Sequence, residues 1–116
     1  MATILTALIS TIIIEMGVLL FLRERRPKVL IGSVAINCAT NVPLTLWALA
    51  FYPTLPEVIV VEILICLIES ALYRLLGCPS RQALAYGFLC NSISFLTGLV
   101  IELASILLNI HIPLLY

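Results

Sequence analysis

The sequence predicts an all-α fold, a polytopic integral membrane protein built as a four-helix transmembrane bundle. Of its 116 residues, 63% are hydrophobic and only 10% are charged, and the mean hydropathy is +1.24. Soluble domains carry about 25% charged residues, because their surface faces water. So few charges cannot cover a water-exposed surface, and we therefore expect the lipid bilayer to surround this chain.

Four apolar segments of transmembrane length follow one another along the chain. A spanning helix needs about 20 mostly apolar residues, and the sequence provides them at residues 2–22, 29–50, 57–76 and 82–105. These segments are expected to form a single transmembrane domain. Residues 106–116 are expected to form an interfacial tail, because a fourth helix continued through them would exceed the hydrocarbon thickness of about 30 Å.

Three breaks separate the apolar segments, and each contains residues that end helices. The first, residues 23–28, is charged and contains one proline. The second, residues 51–57, carries aromatic side chains and two prolines, and the third, residues 74–81, contains Gly77 followed by a proline. Proline lacks the backbone donor that a continuing helix needs, and glycine is common just beyond a helix end. The breaks therefore predict three short turns between four helices.

The six basic residues are distributed very unevenly among these breaks. All of them lie in residues 23–28 and 74–81, whereas the second break and both tails have none. Short loops rich in Lys and Arg stay in the cytoplasm. We therefore expect both basic loops to be cytoplasmic and both termini to lie outside, in a plasma (inner) membrane. Trp47, Phe51 and Tyr52 fit an aromatic belt at the outer interface.

Several function classes have no support in the sequence. There is no basic arm and no glycine-rich phosphate loop, so we expect no nucleic-acid or nucleotide partner. Aspartate is absent, the single histidine is His111 near the C-terminus, and the four cysteines form no CxxC pair. These observations argue against an enzyme, a metal site or a cofactor, and they predict reduced structural cysteines.

Three glutamates and three asparagines lie away from the ends of the apolar segments, where the free-energy cost of burying a polar side chain in lipid has to be offset. A charged residue at the centre of a spanning helix costs about 2.5–3.5 kcal/mol on insertion scales. Ionisable residues in that position are a functional hypothesis by default. The candidate proton- or cation-binding residues are Glu15, Glu62, Glu69, Asn37, Asn41 and Asn91.

Four of these residues share one depth in the membrane. Glu15 precedes the first basic loop and Asn37 follows it by similar distances, about 12–14 Å along a helix. Glu69 and Asn91 flank the second basic loop in the same way, at an offset of 54 residues from the first pair. Two antiparallel hairpins can thus each place a glutamate opposite an asparagine. Two explanations of the spacing stay open: duplication of a parallel hairpin repeat, or coincidence.

Each segment also presents one face that prefers protein to lipid. Polar and small residues recur there at steps of three and four, the spacing of one helix face. Small residues let helix backbones approach closely in membranes. These faces are Thr3, Ala7, Thr11 and Glu15; Ser33, Asn37 and Asn41; Glu62, Cys66, Glu69 and Tyr73; and Gly87, Asn91, Ser94 and Gly98.

The leading functional hypothesis is a small proton- or cation-coupled transporter, or the ion-conducting subunit of a transport complex. Glu15 and Glu69 would exchange the proton or small cation, with Asn37 and Asn91 as partners and Glu62 as a relay toward the outside. Since four short helices enclose little volume, a homodimer or further membrane subunits are expected. The alternative is a structural or assembly subunit of a larger membrane complex, in which the same polar residues only join helices.

Overall fold

The computed structural model describes residues 2–108, and this part of the chain has the predicted all-α fold of four helices. Helix α1 spans Ala2–Phe21, α2 spans Pro27–Phe51, α3 spans Leu55–Leu75 and α4 spans Ser80–Leu107. These bounds lie within two residues of the predicted segments. Helix α4 includes residues 106 and 107, which we had expected in the tail, and residues 109–116 of that tail lie outside the described residues.

The helix starts follow from local sequence. Helix α2 begins directly at Pro27, whose missing N–H costs nothing in a first turn. Helix α3 begins with a capping box, in which the backbone N–H of Thr54 donates to Glu57 Oε2 at 2.7 Å and the Thr54 side chain accepts from the backbone of Glu57. Helix α2 continues through the internal Pro43. The second break therefore ends α2 at Phe51 and starts α3 at Leu55, with three residues between the helices.

The turns α1–α2 and α3–α4 have the same hydrogen-bond pattern. A residue with positive φ ends the first helix of each hairpin: Arg23 at 65° and Gly77 at 98°. The N–H of Arg23 donates to Leu20 O at 3.0 Å, and the N–H of Gly77 donates to Arg74 O at 3.0 Å. Left-handed residues commonly close helix ends in this way. Arg23 and Gly77 are 54 positions apart, as are Leu20 and Arg74, so the two turns share this hydrogen bond and its position although their residues differ.

The four helices pack as a square. Helices α1 and α3 each contact α2 and α4, whereas neither diagonal pair comes into contact within the described part of the chain. Helices α3 and α4 approach closely at the buried Gly87, which faces Ser70 and the backbone of Cys66. The bundle is 43 Å long, close to the thickness of about 40–45 Å of a bilayer with its interfaces.

The distribution of side chains is the reverse of that in a soluble bundle. Large apolar residues cover the outside, and Ile13, Ile31 and Val100 are each about two thirds exposed. Glutamate, asparagine, serine and threonine are found among the buried residues instead. An apolar exterior of this kind is suited to lipid rather than water.

Three of the described helices, α1, α2 and α4, are long and apolar enough to cross a membrane. Helix α3 has 21 residues, the same range of length, but it carries four charged residues: Glu57, Glu62, Glu69 and Arg74. Glu57 and Arg74 lie in its first and last turns. Its larger number of charged residues therefore distinguishes α3 from the other three helices.

Candidate functional site

The first Glu–Asn pair joins α1 to α2 in the middle of the bundle. The Glu15 side chain is fully buried and Asn37 is 1% exposed. Asn37 Nδ2 donates to Glu15 Oε2 at 2.7 Å and to the Ser33 carbonyl at 3.0 Å. Both amide hydrogens of Asn37 are thus used, which fixes the amide with its N–H toward the carboxyl group.

The second pair repeats this geometry between α3 and α4. Glu69 is fully buried and Asn91 is 4% exposed. Asn91 Nδ2 donates to Glu69 Oε2 and to the Gly87 carbonyl, the latter at 2.7 Å. Each of these residues follows its counterpart in the first pair by 54 positions. The structure therefore contains one direct Glu–Asn hydrogen bond in each hairpin.

Thr40 connects the two hairpins, and the sequence reasoning missed it. Its single hydroxyl hydrogen has two acceptors within reach, Glu69 Oε1 and the Ile36 carbonyl at 3.0 Å. When Glu69 is protonated, its O–H donates to Thr40 Oγ1 and the hydroxyl donates to Ile36, so every atom is satisfied. Thr40 lies three residues after Asn37, a spacing that places it on the same face of α2. We call Glu15, Asn37, Thr40, Glu69 and Asn91 the polar cluster.

The remaining two predicted site residues, Asn41 and Glu62, lie beside the polar cluster and are half-buried. Asn41 Nδ2 donates to Asn37 Oδ1 at 2.9 Å. Both residues line a cavity of about 100 Å³, together with Asn91. The cavity lies toward the end of the bundle where α1 begins and α4 ends. We call this the terminal end. Its other lining residues are Ala7, Ser10, Thr11, Ile14, Leu44, Thr45, Ser94, Phe95, Gly98, Leu99, Ile101 and Glu102.

Toward the opposite end, which holds the two basic turns and which we call the turn end, the polar cluster is closed by packed side chains. Leu19, Tyr73 and Cys90 are fully buried, and Tyr86 is 3% exposed. The rings of Tyr73 and Tyr86 meet edge to face with centroids 5.5 Å apart, and the Tyr73 hydroxyl donates to Ser33 Oγ at 2.9 Å. The cluster therefore has a cavity on one side and a packed plug on the other.

An ion pair between the buried Glu24 and the exposed Arg26 joins the first basic turn to α4 at the turn end. Glu24 is only 4% exposed and accepts hydrogen bonds from Arg26 Nε at 3.0 Å, from Arg26 Nη2 at 2.8 Å and from the Tyr86 hydroxyl. Arg26 also donates to Gln82 Oε1 in the second hairpin. The Arg26 guanidinium holds the pKa of Glu24 at about 2. Sequence reasoning interpreted residues 23–28 only as a topology signal, because the one acid there is surrounded by four basic residues.

The Glu24 ion pair predicts an acid-sensitive step in stability. Since the pKa of Glu24 is lowered from 4.5 to about 2, its ionised form stabilises the fold above pH 4.5, and this contribution is lost as the pH falls toward 2. Glu24→Gln is expected to lower the free energy of unfolding at neutral pH by about 2 kcal/mol. It should also flatten the acid decline. Detergent unfolding followed by circular dichroism at a series of pH values measures both, with the exposed Glu102→Gln as the control. An unchanged slope in Glu24→Gln would contradict the ion pair's role.

Comparison with known proteins gives no relative from which a function could be inferred, so a functional proposal has to be based on the chemistry of the site. The chain matches no protein-family model, no curated protein and no solved structure. Within residues 2–108, no three His, Cys or Glu side chains are grouped so that they could hold a metal ion, and all four cysteines are free. Of the six predicted site residues, four form the two Glu–Asn pairs and two line the adjoining cavity.

Proposed function

We propose that all four helices cross a plasma (inner) membrane, with both basic turns in the cytoplasm and both termini outside. Helix α3 matches its neighbours in length and contacts α2 and α4, and its two central glutamates point into the bundle rather than toward lipid. The six basic residues lie at the turn end, as the positive-inside rule requires of cytoplasmic loops. The terminal end and its cavity then face the outside.

Within this arrangement, we propose that the protein binds a proton at mid-membrane and couples its movement to transport. The observation that carries this proposal is two fully buried carboxyl groups whose hydrogen-bond partners, among the described residues, are all neutral. An uncompensated carboxylate costs far too much in an apolar interior, and such a group becomes neutral instead. Glu15 and Glu69 therefore need protons, which makes the pair a proton store.

The hydrogen bonds favour a proton over a metal cation as the ligand. Two of the four carboxyl oxygens of Glu15 and Glu69 accept from amide N–H groups, those of Asn37 and Asn91. These donors present positive hydrogen atoms to the carboxyl groups. A small cation would instead require several oxygen lone pairs directed at one point.

The two sides of the polar cluster define the access that we propose for the proton. The cavity reaches Asn91 from the terminal end, whereas Leu19, Tyr73 and Tyr86 fill the turn end. This corresponds to a state with access from outside only. Glu62 lines the cavity and is the proposed relay between it and the cluster. Transport then requires a second state, in which the plug at the turn end opens.

The working unit is proposed to be a homodimer or an assembly with other membrane subunits. The cavity of about 100 Å³ has room for about three water molecules. A solute larger than this needs space between protomers or subunits. The apolar outer faces of the helices allow either kind of assembly.

Proton flux into proteoliposomes tests the proposal. With a potassium diffusion potential as the driving force and a pH-sensitive dye inside, wild-type protein should acidify the lumen faster than protein-free vesicles. The double variant Glu15→Gln, Glu69→Gln keeps the shape of both side chains but cannot release a proton, so its flux should fall to the vesicle background. Glu57→Gln is the matched control, because Glu57 is exposed and glutamine also serves in a capping box. Wild-type flux no greater than that of the double variant would overturn the proposal.

One observation favours the second candidate, a structural subunit. The same hydrogen bonds join α1 to α2, α3 to α4 and α2 to α3, and interhelical polar bonds stabilise membrane bundles by about 0.6 kcal/mol on average. In that case the protein should purify in mild detergent with stoichiometric partners and should show no proton flux. A transporter should purify alone or as a homo-oligomer.

A further inference from the structure

The two glutamates of the polar cluster differ in one hydrogen bond. Both oxygens of Glu69 have partners, Thr40 at Oε1 and Asn91 at Oε2. Glu15 has a partner only at Oε2, which accepts from Asn37. Its Oε1 is buried and has no hydrogen-bond partner in the described part of the chain. The Glu–Asn hydrogen bond is common to both hairpins, whereas a hydroxyl beside Oε1 is present only at Glu69.

That position is identified by the offset between the hairpins. The residue 54 positions after Thr40 is Ser94, and Glu15 stands 54 positions before Glu69. Ser94 is therefore the counterpart of the hydroxyl that completes Glu69. Ser94 lines the cavity and makes no hydrogen bond among the described residues. The hydroxyl that would correspond to the Thr40 partner of Glu69 therefore makes no bond to Glu15, and its residue lines the cavity instead.

An unpartnered buried oxygen is costly unless something outside the protein completes it. Leaving such a group unsatisfied costs its full desolvation free energy. Neither the carboxylate nor the neutral acid of Glu15 removes this cost, because Oε1 lacks both a donor and an acceptor. A water molecule from the cavity would supply either partner, and the cavity has room for about three.

We propose that Glu15 is the residue that exchanges the proton, through Oε1 and the water beside Ser94, whereas Glu69 retains its proton in the bond to Thr40. This inference rests on the proposed function and assigns different roles to its two acids. On uptake, a hydronium ion from the cavity transfers its proton to the Glu15 carboxylate and leaves water. On release, the acid returns the proton to water. No other bond forms or breaks.

The groups around Glu15 are compatible with this assignment. Its titratable neighbours on α3 are Glu62, Cys66, Glu69 and Tyr73, and Cys90 lies on α4. The facing side chain of α2 is the neutral Asn37. None of these neighbours carries a positive charge, so none holds Glu15 permanently ionised. A Glu69 that keeps its proton adds no negative charge to oppose ionisation of Glu15.

Absolute infrared spectra of the reconstituted full chain, recorded at acidic and at alkaline pH, separate the two acids. Protonated carboxyl groups give a C=O band; in wild-type protein the Glu15 band, identified by its loss in Glu15→Gln, should change with pH, and the Glu69 band, identified in the same way, should not. Glu15→Gln should lose the pH-dependent band, and Glu69→Gln should lose only the constant band. The inference is overturned when Glu69→Gln loses the pH-dependent band and Glu15→Gln keeps it. In that result the double variant would still lack proton flux, so the proposed function would stand.

Ser94 gives a second measurement that does not remove either acid. Ser94→Ala should slow proton flux by about tenfold, the effect of one hydrogen bond to a charged group, and should shift the pH midpoint of the Glu15 band. Ser92→Ala is the matched control, because Ser92 is exposed on the same helix. Equal flux and equal midpoints in the two variants would contradict the role of Ser94. A Glu15 band that responds to sodium rather than to pH would show that Glu15 binds a cation and not a proton, and would overturn the inference.

Discussion

Gly87→Ala is expected to destabilise the bundle by about 3 kcal/mol. A Cβ at this position would lie 2.1 Å from Ser70 Oγ, 2.7 Å from Cys66 O and 2.9 Å from Ser70 N. Two of these atoms belong to the backbone of α3, so the contact is relieved only by moving α3 away from α4. The shift would also displace the Gly87 carbonyl, which accepts from Asn91.

Gly17→Ala is the control for this substitution. Gly17 is exposed on α1, and a Cβ there would meet nothing within 4 Å. Because alanine is a better helix former than glycine, by about 1 kcal/mol, this variant should be at least as stable as wild type. Unfolding in a denaturing detergent, followed by circular dichroism, compares the two. Equal loss of stability in both variants would mean that the close approach of α3 and α4 is unimportant.

Asn37→Leu is expected to cost about 3 kcal/mol, more than the removal of one ordinary hydrogen bond. Asn37 supplies the one hydrogen bond that Glu15 receives on its carboxyl group in the described part of the chain. The substitution leaves that carboxyl with no protein partner, and it also removes the oxygen that accepts from Asn41. Buried polar groups left without partners bear their full desolvation cost.

A double-mutant cycle isolates this interaction. Adding Glu15→Leu to Asn37→Leu replaces both partners by apolar groups, which is often nearly neutral. The double variant should therefore recover most of the lost free energy of unfolding while conducting no protons. A double variant less stable than Asn37→Leu would show that Glu15 contributes stability independently of Asn37. Recovery of stability without proton flux would separate the structural and the functional roles of the pair.

The sequence was sufficient for the helices and for part of the polar cluster. Hydropathy and breaks defined four helices within two residues, because each turn contains proline or glycine beside charged or aromatic residues. Counting residues from the basic loops gave the depth of each side chain, and equal depth predicted that Glu15 could face Asn37 and Glu69 could face Asn91 if the helix rotations allowed it. Depth requires only the rise per residue of a helix, which is constant.

Contacts between the hairpins could not be obtained in this way. The bond from Thr40 to Glu69 depends on how far each helix is rotated and on which hairpin faces which, and neither follows from a position along one helix. The bonds from Tyr86 to Glu24 and from Arg26 to Gln82 have the same origin, because Tyr86 and Gln82 come from the other hairpin. Comparing residues at an offset of 54 would have drawn attention to Thr40 and Ser94 together.

The ion pair at the turn end has a consequence for how the two hairpins can move. The bonds of Glu24 to Tyr86 and of Arg26 to Gln82 join the hairpins at the turn end, whereas the cavity separates them at the terminal end. A small rotation about the joined end would therefore widen or narrow the opening of the cavity without breaking these bonds. In the proposed transport, exposing Glu15 to the opposite compartment is different, because Tyr86, which packs against Tyr73 on that side, is held by the Glu24 carboxylate. If the proposed transport is correct, the barrier to inward release is set by the bonds of Glu24 and Arg26 to α4, remote from the acid that carries the proton.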